Sequence, residues 1–235
     1  MSNRPNVPLL FSDEHRHDAM GCAGHERVKT PHLDALAENG TRFTQAFTPS
    51  PICVPARAAL ATGQYVHQNR CGSNAEAYSG DPVSWGHHLI EQGHRVDSIG
   101  KLHYRGGETD NGFEEEILPL YIRNGVGWIK GLLRDHEAFF DVSSYVREIG
   151  PGSDRYTDYD LGVTRAARQW LSDAGQAASE KPWVLFVSWL RPHYPLTCPP
   201  DYYDLYPLDK MDSARFVSDA ELPSHPVTRT IGRNF

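Results

Sequence analysis

The sequence predicts an α/β fold: a mainly parallel central sheet with helices on both faces. Three observations carry that expectation. Apolar runs of strand length alternate with amphipathic segments of helical period along the chain. The strongest run, WVLFVSWL at 183–190, is apolar almost throughout, as a strand covered on both sides should be. The runs end in SDEH, KLH and RPHYP, and parallel sheets collect their chemistry at C-terminal strand ends.

Taken in order, Asn6–Ser12 (NVPLLFS) reads as a short buried strand that delivers acidic residues at its end. Pro31–Asn39 begins on a proline, carries apolar residues at i, i+3 and i+4, and stops before Gly40, which predicts a helix. Thr41–Thr48 (TRFTQAFT) alternates and predicts a strand. A helix opens at Cys53 and runs through an alanine-rich stretch to Gly63. Trp85–Gln92 predicts a helix stopped by Gly93, and Arg95–Gly100 (RVDSIG) a strand that runs into KLHYRGG. From about 106 to 156 the pattern weakens into acidic, glycine-containing and aromatic sequence, expected to form an excursion over the sheet edge or above the site. Asp160–Ala174 predicts an amphipathic helix with Leu161, Val163, Ala167, Trp170 and Leu171 mostly on one side. No internal repeat or low-complexity segment interrupts residues 1–235, which read as one domain.

Bulk properties narrow the function. The net charge of −7 and the lack of a Lys/Arg cluster argue against nucleic acid, so any anionic ligand must be drawn by a local site. No apolar run approaches the ~18 residues of a membrane span. The four cysteines are spread without a CxxC pair, against a zinc knuckle or a disulfide framework. The start, MSNRPNVPLLFSDEH, lacks the pattern of a secretory signal, and a cytoplasmic location is expected.

The candidate site gathers Asp13 and Glu14, Cys53 and Arg57, Lys101 and His103, and His193 from separate strand ends and one helix start. Pro55 falls in the first turn of that helix, where its missing N–H costs nothing, and Arg57 lies one turn beyond Cys53 on the same face. A helix start also presents free N–H groups to an anion. Each residue has a plainer reading. Cys53 alone would be an inert small hydrophobe. Asp13 could cap a turn, Glu14 and Lys101 could be solvated surface charges, and His193 could simply pack. His15, His17, His87, His88, Cys22, Cys71 and Cys198 are left to such structural roles. The aromatic group DYYDLY, 201–206, reads as a surface loop.

The blocks in order resemble the sulfatase family of the alkaline-phosphatase superfamily. Cys53-Val54-Pro55-Ala56-Arg57 with Leu60, Thr62 and Gly63 forms a C-x-P-x-R-x-x-L-x-T-G pattern. NVPLLFSDEH, KTPHLDALAENGTRFTQAF, GKLHYRG and KPWVLFVSWLRPHYP flank it, so the resemblance covers nearly the whole chain. The wording DEHRHDAMGCAGHE leans toward the choline-sulfatase and phosphonate-monoester-hydrolase side, with Glu14 where classical members carry a second aspartate. GKLH favours sulfatase over phosphonate or phosphodiester hydrolase.

The resemblance implies hydrolysis of a small-molecule sulfate monoester after Cys53 is oxidised to formylglycine by a formylglycine-generating enzyme. It further implies a divalent cation, Ca²⁺ first with Mg²⁺ or Mn²⁺ as alternatives, at Asp13, residue 53 and Glu14. Arg57 would hold the formylglycine, Lys101 a sulfate oxygen, His103 would act as base, His193 would meet the sulfate or leaving oxygen, and Asn74 would line the substrate pocket. By the same resemblance the chain reads as the N-terminal part of a sulfatase catalytic domain. It would lack the Asp-His or Asp-Asn pair that completes the metal shell, leave a sheet edge and apolar surface open to an oligomer or partner chain, and turn over little alone. A catalytically inactive anion-binding fragment is the rival reading.

Overall fold

The computed structural model describes residues 4–127, 149–176, 181–211 and 225. Four parallel strands form its sheet in the order β1-β5-β2-β3. They are β1 (Val7–Phe11), β2 (Arg95–Lys101), β3 (Glu115–Leu120) and β5 (Trp183–Ser188), and a two-residue pairing of β4 (Gly150–Pro151) with β6 (Thr197–Cys198) lies apart. Residues 128–148, the middle of the expected excursion, lie outside the described residues.

Strand alternation sorts the core into two layers. On one face Leu9, Phe11 and Phe186 pack with Ala58 and Ala61 of helix α2 (Cys53–Thr62) and with Leu102, Tyr78 and Tyr104. Alanines on α2 let the helix lie close to the sheet, which brings its N-terminus to the strand ends. On the other face Ile99, Leu185 and Val187 meet Val163, Ala167 and Trp170 of the long helix α5 (Arg155–Gln176). Helices α1 (Pro31–Asn39), α3 (Val66–Asn69) and α4 (Trp85–Glu91) complete the order between β1 and β2. Asp97, fully buried in β2, accepts hydrogen bonds from Trp170 Nε1 (2.8 Å) and Arg95 Nε (2.7 Å), so its charge ties α5 to the sheet.

Four expectations are corrected. Thr41–Thr48 is not a strand: it pairs with no strand among the described residues, and Phe43 and Phe47 stand exposed. Alternation without a partner to receive it does not make a strand. Within the excursion, EEILPL forms β3, the sheet's edge beside β2; its two glutamates and Pro119 disguise it, and an edge tolerates both. Helix α5 begins at Arg155 rather than Asp160, because Asp154 Oδ1 accepts the N–H groups of Tyr156 (2.8 Å) and Thr157 (3.0 Å) and caps it.

β1, expected as a buried strand, is instead the other edge among the described residues, with Val7 and Leu10 exposed, and it carries a built-in stop. The Phe11 carbonyl accepts the Trp189 N–H (2.9 Å), and backbone direction alternates along a strand. Odd-numbered residues therefore face β5, while Pro8 and Leu10 turn their backbone outward, and Pro8 has no N–H to offer.

Gly100 sits where β2 is about to deliver Lys101. Its φ is +100°, and a Cβ there would stand 2.1 Å from the Ser188 carbonyl oxygen. Gly100→Ala is expected to lower unfolding stability by about 2 kcal/mol or more, read as a fall in the urea midpoint.

Candidate active site

A cavity of about 950 Å³ opens at the C-terminal ends of β1, β2 and β5, beside the N-terminus of α2. Asp13, Glu14, Cys53, Arg57, Asn74, Lys101, His103 and His193 all line it. The structure thus brings together every residue singled out in the sequence, from positions up to 180 residues apart. Asp201–Tyr206, by contrast, is not among the residues lining it.

Arg57 organises the floor. It is 2% exposed, and its Nη1 donates to the Lys101 carbonyl and to Ser188 Oγ (3.0 Å). Its guanidinium lies over the Phe11 ring, 5.0 Å from the centroid, and Nη2 is 3.7 Å from Asp13 Oδ2. The Lys101 ammonium donates to that same Asp13 oxygen. Lys101 and Asp13 are buried too, so two cations share one carboxylate away from bulk water. Burial pushes the Arg57 guanidinium's pKa down and Asp13 pushes it back up. Arg57 Nε and Nη2 have no hydrogen-bond partner among the described residues. A buried surplus of positive charge with idle donors is a standing demand for an anion.

Cys53 stands at the first position of α2. The Asn74 amide nitrogen is 3.5 Å from its Sγ, and Asn74 Oδ1 accepts the Val54 N–H (3.1 Å). Asn74 therefore serves the helix start and faces residue 53 at once, a second use beyond the pocket lining inferred from sequence.

His103 and Glu14 both adopt left-handed backbone, with φ of 55° and 60°. Such strain in residues without glycine's freedom is tolerated where surrounding structure enforces it. Burial first, then the charges of Lys101, Arg57 and His193, push the His103 imidazole down to about 2. It is neutral at ordinary pH, and its buried Nδ1 has no partner among the described residues.

His193 makes its ring contacts close by. Nδ1 lies 2.7 Å from the Tyr194 carbonyl, which can only accept, so Nδ1 carries a proton. Nε2 lies 3.6 Å from Glu14 Oε1, an ion-pair approach rather than a hydrogen bond. The Tyr156 ring stands edge-on to it with centroids 6.2 Å apart.

Sequence reasoning missed several residues here. His15 and His17, given structural roles, line the cavity, as do Arg16, Tyr156 and Tyr194. Ser188 was visible in principle as the one hydroxyl inside an otherwise apolar strand. Tyr156 carried no signal, since only the Asp154 cap aims it.

A divalent cation fits these residues only in part. Among the described residues no group of three or more His, Cys, Asp or Glu side chains is gathered to hold one. Asp13 already engages Lys101, and Glu14 leans toward His193. A Ca²⁺ shell of six or more oxygens is not assembled by Asp13, Glu14 and residue 53.

No helix among the described residues is long and apolar enough to cross a membrane. Comparison with known proteins gives the family. The choline-sulfatase of Rhizobium meliloti (strain 1021) is 28% identical over 97% of this chain and 49% of its own. An ulvan-active sulfatase of Formosa agariphila is 38% identical over 63% of this chain and 28% of its own. The fold matches a phosphonate monoester hydrolase of Agrobacterium radiobacter with a TM-score of 0.67 at 24% identity, covering 92% of this chain and 47% of that one. The chain spans about half the length of that choline-sulfatase and less of the ulvan-active sulfatase. The Sulfatase family model matches residues 5–219, and on that match the chain belongs to the Sulfatase family.

Proposed function

We propose that this chain contributes one side of the active site of a formylglycine-dependent sulfate monoester hydrolase. The observation that carries the reading is the buried Arg57–Asp13–Lys101 cluster beside Cys53, which supplies surplus positive charge where a sulfate group would lie. Oxidation of Cys53 by a formylglycine-generating enzyme would give a hydrated aldehyde, with one hydroxyl to attack sulfur and a second whose deprotonation releases sulfate. His103 is the candidate to take that proton, since it lines the same cavity as residue 53 and its buried Nδ1 has no partner among the described residues. Arg57 and Lys101 stabilise the charge that grows on the sulfuryl oxygens. Asn74 orients residue 53, and His193 faces the leaving oxygen. Ca²⁺, with Mg²⁺ or Mn²⁺ as alternatives, would rest against Asp13, Glu14 and residue 53 and take further oxygens from outside the described set; no step above runs through it.

The chain is read as the N-terminal part of a catalytic domain, acting on a small sulfate ester in the cytoplasm. Four free cysteines, Cys22, Cys53, Cys71 and Cys198, suit a reducing compartment. A phosphonate monoester or phosphodiester hydrolase is the second reading, favoured by the fold neighbour of that name. An anion-binding fragment without turnover is the third.

Expressed in a host that makes the modifying enzyme, the peptide around Cys53 should weigh about 18 Da less than its thiol form. An unmodified thiol would point to the anion-binding fragment. With Ca²⁺ added, nitrophenyl sulfate should be hydrolysed faster than phenylphosphonate esters, both slowly, because the described donors hold metal weakly. Lys101→Ala should cut kcat/KM for the sulfate by about 100-fold.

The depressed His103 also predicts a pH effect. Its folded pKa of about 2 lies below the ordinary 6.5. The unfolded chain therefore binds a proton there first, and stability is lost as pH falls from 6.5 toward 2. Replacing His103 with Gln should flatten this part of the urea-midpoint profile; equal slopes in both proteins would contradict it.

A further inference from the structure

His193 rides on the loop after β5, and loops are mobile by default. Its ring hydrogen bond goes to its own neighbour, Tyr194, so that bond travels with the loop and cannot place the ring. Placement comes from elsewhere. Asp160 of α5 accepts the N–H groups of Leu190 and Arg191, each at 2.8 Å. The Arg191 guanidinium then spans the loop. Nη1 donates to the carbonyls of His193 (3.1 Å) and Pro195 (2.5 Å), and Nη2 donates to Asp154 Oδ2 (2.6 Å), Thr157 Oγ1 (3.0 Å) and Thr197 Oγ1 (3.0 Å). The Thr197 hydroxyl also donates to Asp154 Oδ2.

Asp154 is thus bound at both oxygens. Oδ1 caps α5 and so aims Tyr156 at the His193 ring, while Oδ2 holds the arginine that clamps the His193 backbone. Asp154, Arg191 and Thr197 do not line the cavity, which removes direct contact with substrate as their role. Resting on the reading of the site given above, we propose that Asp154 and Arg191 are positioning residues that act on the reaction at residue 53 by seating the His193 imidazole, directly and through Tyr156.

A double-mutant cycle on the full chain tests this, using Asp154→Asn, His193→Ala and the double variant. Asparagine preserves the capping oxygen and the volume while removing the charge that holds Arg191. Two quantities are followed: kcat and KM for nitrophenyl sulfate with Ca²⁺ present, and affinity for inorganic sulfate by calorimetry, which needs no turnover. Ring nitrogen shifts of His193 by NMR report its tautomer and the hydrogen bonds that its seat allows. Asp154→Asn should lower kcat or sulfate affinity by about tenfold, shift the His193 ring resonances, and add nothing once His193 is alanine.

An equal loss in the His193→Ala background, or a folded Asp154→Asn with unchanged ring shifts, overturns the proposal and leaves the site reading intact. A His193→Ala variant with wild-type turnover and sulfate affinity overturns the site's use of His193 itself, and the positioning role with it. Should Asp154→Asn not fold, Thr197→Val removes one hydroxyl from the same cluster and must show the same coupling at smaller size.

Discussion

A guanidinium shut away from water at the end of a sheet is the constraint on which the rest of this molecule turns. Arg57 cannot be buried alone, because an unpaired interior charge costs several kcal/mol. Its supports come from the ends of three strands: the carbonyl closing β2, the hydroxyl closing β5, and the phenyl ring and carboxylate supplied at and after β1. Meeting that demand fixes how far α2 slides along the sheet. It also fixes where Cys53, one turn before Arg57, comes to rest.

The donors left over are as informative as those engaged. Among the described residues Arg57 keeps two nitrogens without a hydrogen-bond partner, and Lys101 shares an oxygen already approached by Arg57. A core built for stability alone would have satisfied or removed these groups. Strain points to the same place, with Glu14 and His103 both held in left-handed backbone on the cavity wall. On the proposed reading, stability has been set aside locally in favour of a surface suited to a negative group.

The architecture and the site were readable to different depths. β5 announced itself because a strand covered on both faces must be apolar at every position. Cys53, Arg57, Lys101 and His193 were singled out because each stands near a strand end or helix start within a worded motif. β3 hid because an edge strand may carry charge and proline, and Thr41–Thr48 misled because alternation reports a preference, not a partner. What Ser188 and Tyr156 do was out of reach for a deeper reason, although Ser188 stood out as a lone hydroxyl. Their roles follow from which elements pack together, and no local pattern records that. The clamp of Asp154 and Arg191 belongs to the same class, joining residues 37 apart through hydrogen bonds that only the folded chain defines.

Pro8 has an effect at the scale of the whole molecule. The outer margin of β1 can receive a visiting peptide at its carbonyls, but it returns an amide proton from Leu10 and none from Pro8. Zippering by backbone alone would therefore stall after a single rung. At the border of the described sheet this proline works against indiscriminate fibre growth by backbone pairing.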